Sequence, residues 1–436
     1  MDDFRAIADV VAADIAAGRL RPGDRLPPQR GFARRHGIAN STAVRVYSEL
    51  IRRGLVVGEV GRGSFVRAAS PAAEPALAEP GQALVDLELN FSVLPEQPGL
   101  LAASLQRLLR PDVLAAALKP ATVHGNATAR AATAELLARA GWTPNPAEIL
   151  FTGNGRQAIA AAIAALVPVG GRLGVEAITY PVVKGIATRL GITLVPLAMD
   201  ASGVLPDALR PARVQAVYLQ PTLHNPLGTT MPAARRAEIA ETVRKLDIRV
   251  IEDSIYAFLA DESPPLAPER TIVVDSLSKR LAPGLTVGFA VTPPDLREKV
   301  ATAIRSGGWA AQHFPVQAAT CWLGDGTAAK IVAAKRADAL ARQRIARATL
   351  NGLEGDERAY HCWWNLPEPW RAETFVAAAA RRGIAVAPAA AFAVVPGHAP
   401  NAVRLALAAP PRPTLVTALE TLAEIARHTP EDTGVE

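Results

Sequence analysis

A lysine at 279 stands just after an expected strand, Val273 to Leu277, and just before a turn at Pro283-Gly284. An amine so placed, partly desolvated and able to lose its proton, suits Schiff-base formation with a carbonyl compound. Another expected strand, Ile248 to Glu252, ends in Asp253, with Ser254, Ile255 and Tyr256 behind it. An aspartate there could hold a protonated pyridine nitrogen and so make an aromatic ring an electron sink. Taken singly, a lysine or aspartate beside a strand is ordinarily a solvated or ion-paired surface residue. Both, however, stand at strand ends, and α/β folds collect their functional groups at the carboxyl edge of the sheet.

A different chemistry is suggested at the other end of the chain. Gln29 to His36 has helical spacing, Gly37 permits a tight turn, and Ser41 to Arg53 forms a second helix with Ala43, Val46, Tyr47 and Leu50 on its core face. In such a helix-turn-helix, Asn40, Ser41, Thr42 and Arg45 stand at the groove-facing end, where short polar groups and arginine reach phosphates and base edges. Val56 and Val57 lead into Gly61-Arg62-Gly63 and out through Phe65 and Val66, the pattern of a two-stranded wing. An arginine at the tip of a wing suits the minor groove. A three-helix domain that makes only protein contacts is the alternative reading.

These residues need two different frameworks. With 436 residues, half of them hydrophobic, the chain is long enough for at least two domains. The first 68 residues hold twelve arginines, no lysine and seven acids, so they carry five of the chain's six net positive charges. That asymmetry implies an anionic partner; charge alone fits DNA, RNA or acidic lipid. Phe4 to Ala17 reads as a helix with Phe4, Ile7, Val10, Val11 and Ile15 on one face, ended by the proline-rich segment Arg21 to Pro28. The stretch AASPAAEPALAEPG has no periodicity and reads as a linker, which assigns 1–68 to the DNA-binding domain, 69–85 to the linker and 86–430 to a larger domain. In that domain seven short apolar runs, Glu148 to Phe151, Arg172 to Val175, Thr193 to Pro196, Ala216 to Leu219, Arg249 to Ile251, Thr271 to Val274 and Gly288 to Val291, alternate with alanine-rich helical stretches. The alternation predicts a mostly parallel α/β sheet. A smaller lobe is expected over about 317–430. Two cysteines, 321 and 362, make neither a disulfide framework nor a metal cluster, so a reducing cytoplasm and a metal-free site are expected. No apolar run is long enough to span a bilayer, and the N-terminus MDDFRAIADV is not that of a leader peptide; a soluble, unprocessed chain is expected.

The segment GDRLPPQRGFARRHGIANSTAVRVYSELIRRGLVVGEVGRGSFV closely resembles the GntR-type winged helix, over residues 5 to 67. The resemblance implies that Arg30, Asn40, Ser41, Thr42, Arg45 and the wing Gly61, Arg62 and Gly63 contact a double-stranded DNA operator. Where that family usually has Ser-Arg, this chain has Ala39-Asn40; Asn40 can cap the helix but adds no charge.

Three further segments, QPTLHNPLG at 220–228, VIEDSIY at 250–256 and DSLSKRLAPGL at 275–285, resemble fold-type I aminotransferases in order, spacing and residue type. The resemblance implies a pyridoxal 5'-phosphate (PLP) cofactor. Lys279 would form the Schiff base, Asp253 would pair with the pyridine nitrogen, Asn225 and Tyr256 would bond the phenolic oxygen, and Tyr180 would stack on the ring. TGNGRQAIAAAIAAL at 152–166 matches the entry to that family's phosphate-binding helix, whose free amides suit a dianion, and assigns Gly155, Arg156 and Ser278 to the phosphate. Asn401-Ala-Val-Arg404-Leu resembles the segment whose arginine binds the substrate carboxylate in two-pronged fashion; a surface arginine on a strand is the alternative for Arg404. Three positions depart from the family. Thr286 stands where an arginine usually follows the lysine, and His124-Gly125 where Tyr-Gly is usual. Arg156 stands where relatives use an uncharged polar side chain, and is expected to replace the missing guanidinium.

The order of these parts resembles the MocR subfamily of GntR-type transcriptional regulators. It implies a cytoplasmic, head-to-tail homodimer whose aminotransferase-like domain senses a small amine, an amino acid or PLP itself and so changes how the paired N-terminal domains meet DNA. Two alternatives remain open at this point. A working aminotransferase with an appended DNA-binding domain would turn over an amino donor and a keto acceptor; a DNA-binding module with a purely dimerising large domain would carry no chromophore.

Overall fold

Apolar residues at helical spacing decide the first elements of the chain. In the computed structural model, which describes residues 4–16, 19–21, 23–52, 55–59, 63–67, 83–260, 263–395 and 398–430, helices Phe4–Ala16, Gln29–His36 and Asn40–Arg52 are followed by strands Val56–Glu59 and Gly63–Val66. Ala8, Val11, Phe32, Ala33, Ala43, Val46, Tyr47 and Leu50 bury one face of each helix in a common core. On the first helix the buried stripe runs through Ala8 and Val11, leaving Val10 more than half exposed. Gly37 ends the second helix in the left-handed region, φ 64°, and lets Ile38 N donate to Ala33 O at 3.0 Å. The proline-rich segment expected only to break a helix also contributes a strand, Arg25–Leu26, which pairs antiparallel with Gly63–Val66 to make the sheet three-stranded. Its Arg25 side chain lies where a Cβ on Gly63 would come within 2.9 Å, and Gly63 has φ +123°, so glycine is required there.

Residues 90–344 and 355–361 form one compact unit. All seven apolar runs are strands of a single sheet, in the order Ile149–Thr152, Gly288–Val291, Thr271–Ser276, Arg249–Asp253, Ala216–Leu219, Arg172–Glu176 and Thr193–Leu197. Every neighbouring pair is parallel except those made by Gly288–Val291, which runs antiparallel to both neighbours. The central strands are buried along their whole length, which is why their sequences read as unbroken apolar runs. The parallel register, Leu219 beside Glu252 and Asp253 beside Val274, brings the carboxyl ends of three strands to one edge.

The other unit contains the N-terminal elements above and a five-stranded sheet, ordered Leu353–Glu354, His361–Asn365, Ala402–Ala406, Ile384–Pro388 and Val85–Leu87. Helices Ala372–Arg381 and Arg412–Arg427 contribute to the same core, where Phe375 meets Trp364 and Trp370 edge-on at 5.3 and 5.4 Å. Val85–Leu87, which begins at the last residue expected in the linker, pairs parallel with Ile384–Val386. Its partner strand is almost 300 residues away, so no local pattern announces it. Most of the expected linker lies outside the described residues.

Candidate functional site

Asp253 closes its strand with a buried carboxylate. Tyr218 Oη donates to its Oδ2 at 2.5 Å, Gln220 Nε2 donates to the same oxygen at 2.8 Å, and Ile255 N donates to Oδ1 at 3.1 Å. All three donors are neutral. Burial therefore dominates and pushes the Asp253 carboxyl up to about 6, against the lowering effect of its hydrogen bonds. Burial and the nearby Asp253 carboxylate also raise the Tyr218 phenol well above its usual range, which keeps it a donor. Gln220 has a second role: its Oε1 accepts from Asn225 N at 3.2 Å, so one amide side chain holds both Asp253 and the backbone of Asn225.

Lys279 lies beyond the strand end, in the one-turn helix Leu277–Arg280 that Ser276 initiates by accepting from Ser278 N. Its half-buried Nζ donates to Asn90 O at 2.6 Å and sits 3.5 Å from the centre of the Phe91 ring and 5.8 Å from that of Tyr256. Tyr256 Oη accepts from Asn90 Nδ2 at 2.9 Å. The same Nδ2 lies 3.3 Å from His361 Nδ1, and His361 Nε2 is 2.9 Å from His224 O. A carbonyl can only accept, so the His361 proton is on Nε2 and Nδ1 accepts from Asn90. The structure thus brings Lys279, Tyr256, Asn90 and His361 into one hydrogen-bonded group.

Gly155 opens helix Gly155–Leu166, whose cap Asn154 accepts from Gln157 N at 3.0 Å. A Cβ at Gly155 would come 3.1 Å from Ser276 Oγ, so the strand end and the helix start approach closely there. Ser278 Oγ and Thr286 Oγ1 are 2.8 Å apart, which places the departing Thr286 directly beside a residue assigned to phosphate. Arg156 is exposed in the first turn of the same helix, and Tyr180, half-buried, precedes helix Pro181–Arg189. His124 contacts Arg297 and Glu298, at 3.4 and 3.8 Å. Burial and Arg297 both lower its pKa.

This group fits a pyridine aldehyde phosphate. A buried carboxyl that meets only neutral donors suits a cationic ring nitrogen, and the Ser276 hydroxyl against the glycine-initiated helix, with the Ser278 and Thr286 hydroxyls on the chain that follows, suits a phosphate dianion. Residues 117–422 match the profile of aminotransferase class I and II.

The chain belongs to the aminotransferase class I and II family. Ahead of that domain, residues 4–66 match the bacterial regulatory proteins of the gntR family. The chain is 27% identical over 419 residues to the uncharacterized HTH-type transcriptional regulator YdeF of Bacillus subtilis (strain 168), covering 93% of this chain and 90% of that one. It is 25% identical over 343 residues to the probable rhizopine catabolism regulatory protein MocR of Rhizobium meliloti, covering 71% and 69%. Among solved structures, LysN, the α-aminoadipate aminotransferase of Thermus thermophilus, complexed with N-(5'-phosphopyridoxyl)-L-leucine, has the same fold, with a TM-score of 0.70 at 22% identity over 79% of this chain and 92% of that one.

In the gntR-type domain Arg30, Asn40, Ser41 and Arg45 are exposed and Thr42 is half-buried. Asn40 does not cap the helix: Ala43 N donates to Ala39 O at 3.1 Å, which makes Ala39 the capping position and puts Asn40 in the first turn. The Arg45 guanidinium lies 4.1 Å over the Phe4 ring, which stations it beside the first helix. Gly61 and Arg62 are outside the described residues. Arg404, on strand Ala402–Ala406, is buried; its Nη2 donates to Glu88 O and its guanidinium lies 5.2 Å from the Phe392 ring.

Sequence reasoning missed Tyr218, Gln220, Asn90 and His361. Gln220 opens the QPTLHNPLG segment and, with Tyr218, is a polar residue in or just past an apolar strand, which is a usable signal. Asn90 is 189 residues from Lys279 and lies in a segment without regular structure, so no local pattern marks it. Among the described residues no helix is long and apolar enough to cross a membrane.

Proposed function

We propose that this protein is a PLP-dependent transcriptional regulator of the MocR type, in which a winged helix holds duplex DNA and the aminotransferase-like domain senses a small amine, an amino acid or PLP. The observation that carries the reading is the pairing, on one chain, of a gntR-family domain at 4–66 with an aminotransferase domain at 117–422. The assigned organisation is 1–68 for DNA, 69–85 as linker and 86–430 for sensing, with a lobe at about 317–430, in a cytoplasmic head-to-tail homodimer.

When bound, PLP supplies an electrophilic aldehyde carbon and a ring that takes up electron density. Lys279 presents the amine for that carbon. Asp253, held by Tyr218 and Gln220, supplies the negative charge for a protonated ring nitrogen. Asn225 and Tyr256 bond the ring oxygen, Tyr180 covers the ring, and Gly155, Arg156 and Ser278 hold the phosphate. Arg404 reads an effector carboxylate, and Arg30, Asn40, Ser41, Thr42, Arg45 and the wing at Gly61, Arg62 and Gly63 meet the operator. The experiment is a visible spectrum of the purified protein with operator binding followed in parallel. A cofactor band that vanishes in Lys279→Ala, shifts with added amines and changes operator affinity is expected. Sustained conversion of an amino donor and keto acceptor, with operator affinity indifferent to both, would instead identify an enzyme.

A further inference from the structure

Lys335, on helix Thr327–Thr349, is completely buried. An ammonium in that position is costly unless every proton finds an acceptor. Its three protons have three backbone carbonyls to meet: Ser92 O at 2.7 Å, Lys279 O at 2.9 Å and Leu281 O at 2.5 Å. Leu281 O also accepts from Gln97 Nε2 at 3.0 Å. The lysine is fixed from behind as well, because Tyr360 Oη lies 2.9 Å from Lys335 O and 3.0 Å from Asp338 Oδ2, which in turn accepts from Arg342 Nε at 2.7 Å. Desolvation pushes the Lys335 ammonium down to about 7, a measure of how unfavourable the location is for stability alone.

The acceptors are informative. Lys279 O and Leu281 O belong to the end of the one-turn helix that carries Lys279, and a single helical turn has little stability of its own. A cation at its carbonyl end both satisfies and stabilises it. Ser92 O belongs to the irregular segment whose Asn90 O and Phe91 ring meet the Lys279 amine. Lys335 therefore grips both sides of one contact: the backbone that bears the amine and the backbone on which the amine rests.

We propose that Lys335 is a positioning residue that sets the place of the Lys279 amine by joining the 279–281 turn to the 90–92 segment. This rests on the reading of Lys279 as the cofactor's attachment point. In the attachment, the Lys279 nitrogen adds to the aldehyde carbon of PLP, a C=N bond replaces C=O, and the oxygen leaves as water; no oxidation occurs. Lys335 touches neither reactant and acts only on where the amine stands.

The test uses the full-length apo protein and two probes. PLP capture is timed by quenching with borohydride, which reduces the C=N bond, and measuring the fraction of Lys279 modified by peptide mass. Pyridoxine 5'-phosphate, which has no aldehyde, reports the rest of the site through tryptophan fluorescence. Lys335→Met should slow capture by about ten- to a hundredfold, the size expected for a misplaced reacting group, while pyridoxine 5'-phosphate affinity stays within about twofold. Lys335→Arg keeps the charge but cannot set three donors on the same carbonyls, so its capture rate should fall between the two; it carries the test should the methionine variant not fold. Wild-type capture rates in both variants, or equal losses for both probes, overturn the positioning role alone. A wild-type protein that captures no PLP on Lys279 overturns the attachment reading itself, and the positioning role with it.

Discussion

Replacing Asp253 by asparagine should stabilise the cofactor-free protein at neutral pH while weakening its hold on PLP. The buried carboxyl titrates near 6, against about 3.9 for a free aspartate, with desolvation as the principal cause. Because the folded-state value is raised, the folded protein keeps the Asp253 proton more tightly than the unfolded chain does. This contribution to stability is complete below about pH 4 and is lost as pH rises through about 6. A difference of about two pKa units at roughly 1.4 kcal/mol each makes the loss ~3 kcal/mol, and about half of it falls between pH 5 and 8. Asparagine retains an oxygen to accept from Tyr218 and Gln220 but sets an NH2 against Ile255 N, at roughly 1 kcal/mol, a cost that does not vary with pH. The informative quantity is therefore the difference between the two proteins, in which the titrations they share cancel. Chemical unfolding of the apo forms at pH 5 and pH 8 should show the wild type losing about 1.4 kcal/mol relative to Asp253→Asn. Saturating PLP should flatten that difference, since a ring cation compensates the carboxylate. The variant's affinity for PLP should drop by about a hundredfold, the equivalent of ~3 kcal/mol. Parallel stability profiles for the two apo proteins would show that Asp253 is not a strained carboxylate, and the argument for a cationic partner would fail.

Three other outcomes are expected. Operator binding should weaken steeply with salt, and Arg45→Ala should cost roughly 1 to 3 kcal/mol in a binding titration; full affinity in the variant would remove Arg45 from the interface. Arg404→Lys should raise the effector concentration needed to change operator affinity, because an ammonium cannot match a planar carboxylate with two parallel bonds; an unmoved midpoint would exclude Arg404 from the effector site. Arg156→Ala should weaken PLP binding by about ten- to a hundredfold, and adding Thr286→Arg, beside Ser278, should restore much of that loss while gaining little in the wild type, where Arg156 already pairs the phosphate. Equal effects of Thr286→Arg in both backgrounds would show that Arg156 does not reach the phosphate.

What the sequence determined by itself is local and periodic. Six of the seven apolar runs are strands buried along all or nearly all of their length, which requires apolar sequence throughout, while the edge strand Thr193–Leu197 is only partly buried; Ala43, Val46, Tyr47 and Leu50 are core because 3.6-residue spacing puts them on one face. Lys279, Asp253 and the QPTLHNPLG segment were legible because three short segments together, in order and spacing, resemble fold-type I aminotransferases. The tertiary structure decided what those residues meet. Arg25–Leu26 becomes a strand only because Gly63–Val66 is there to pair with it, and Val85–Leu87 only because Ile384–Pro388 is. Asn90 and Phe91 receive the Lys279 amine across 189 residues, and Lys335, which reads as one more cation on a helix of alanines and arginines, is buried against three carbonyls. An acceptor offered by the backbone has no residue type, so no pattern of side chains along the chain could have pointed to it.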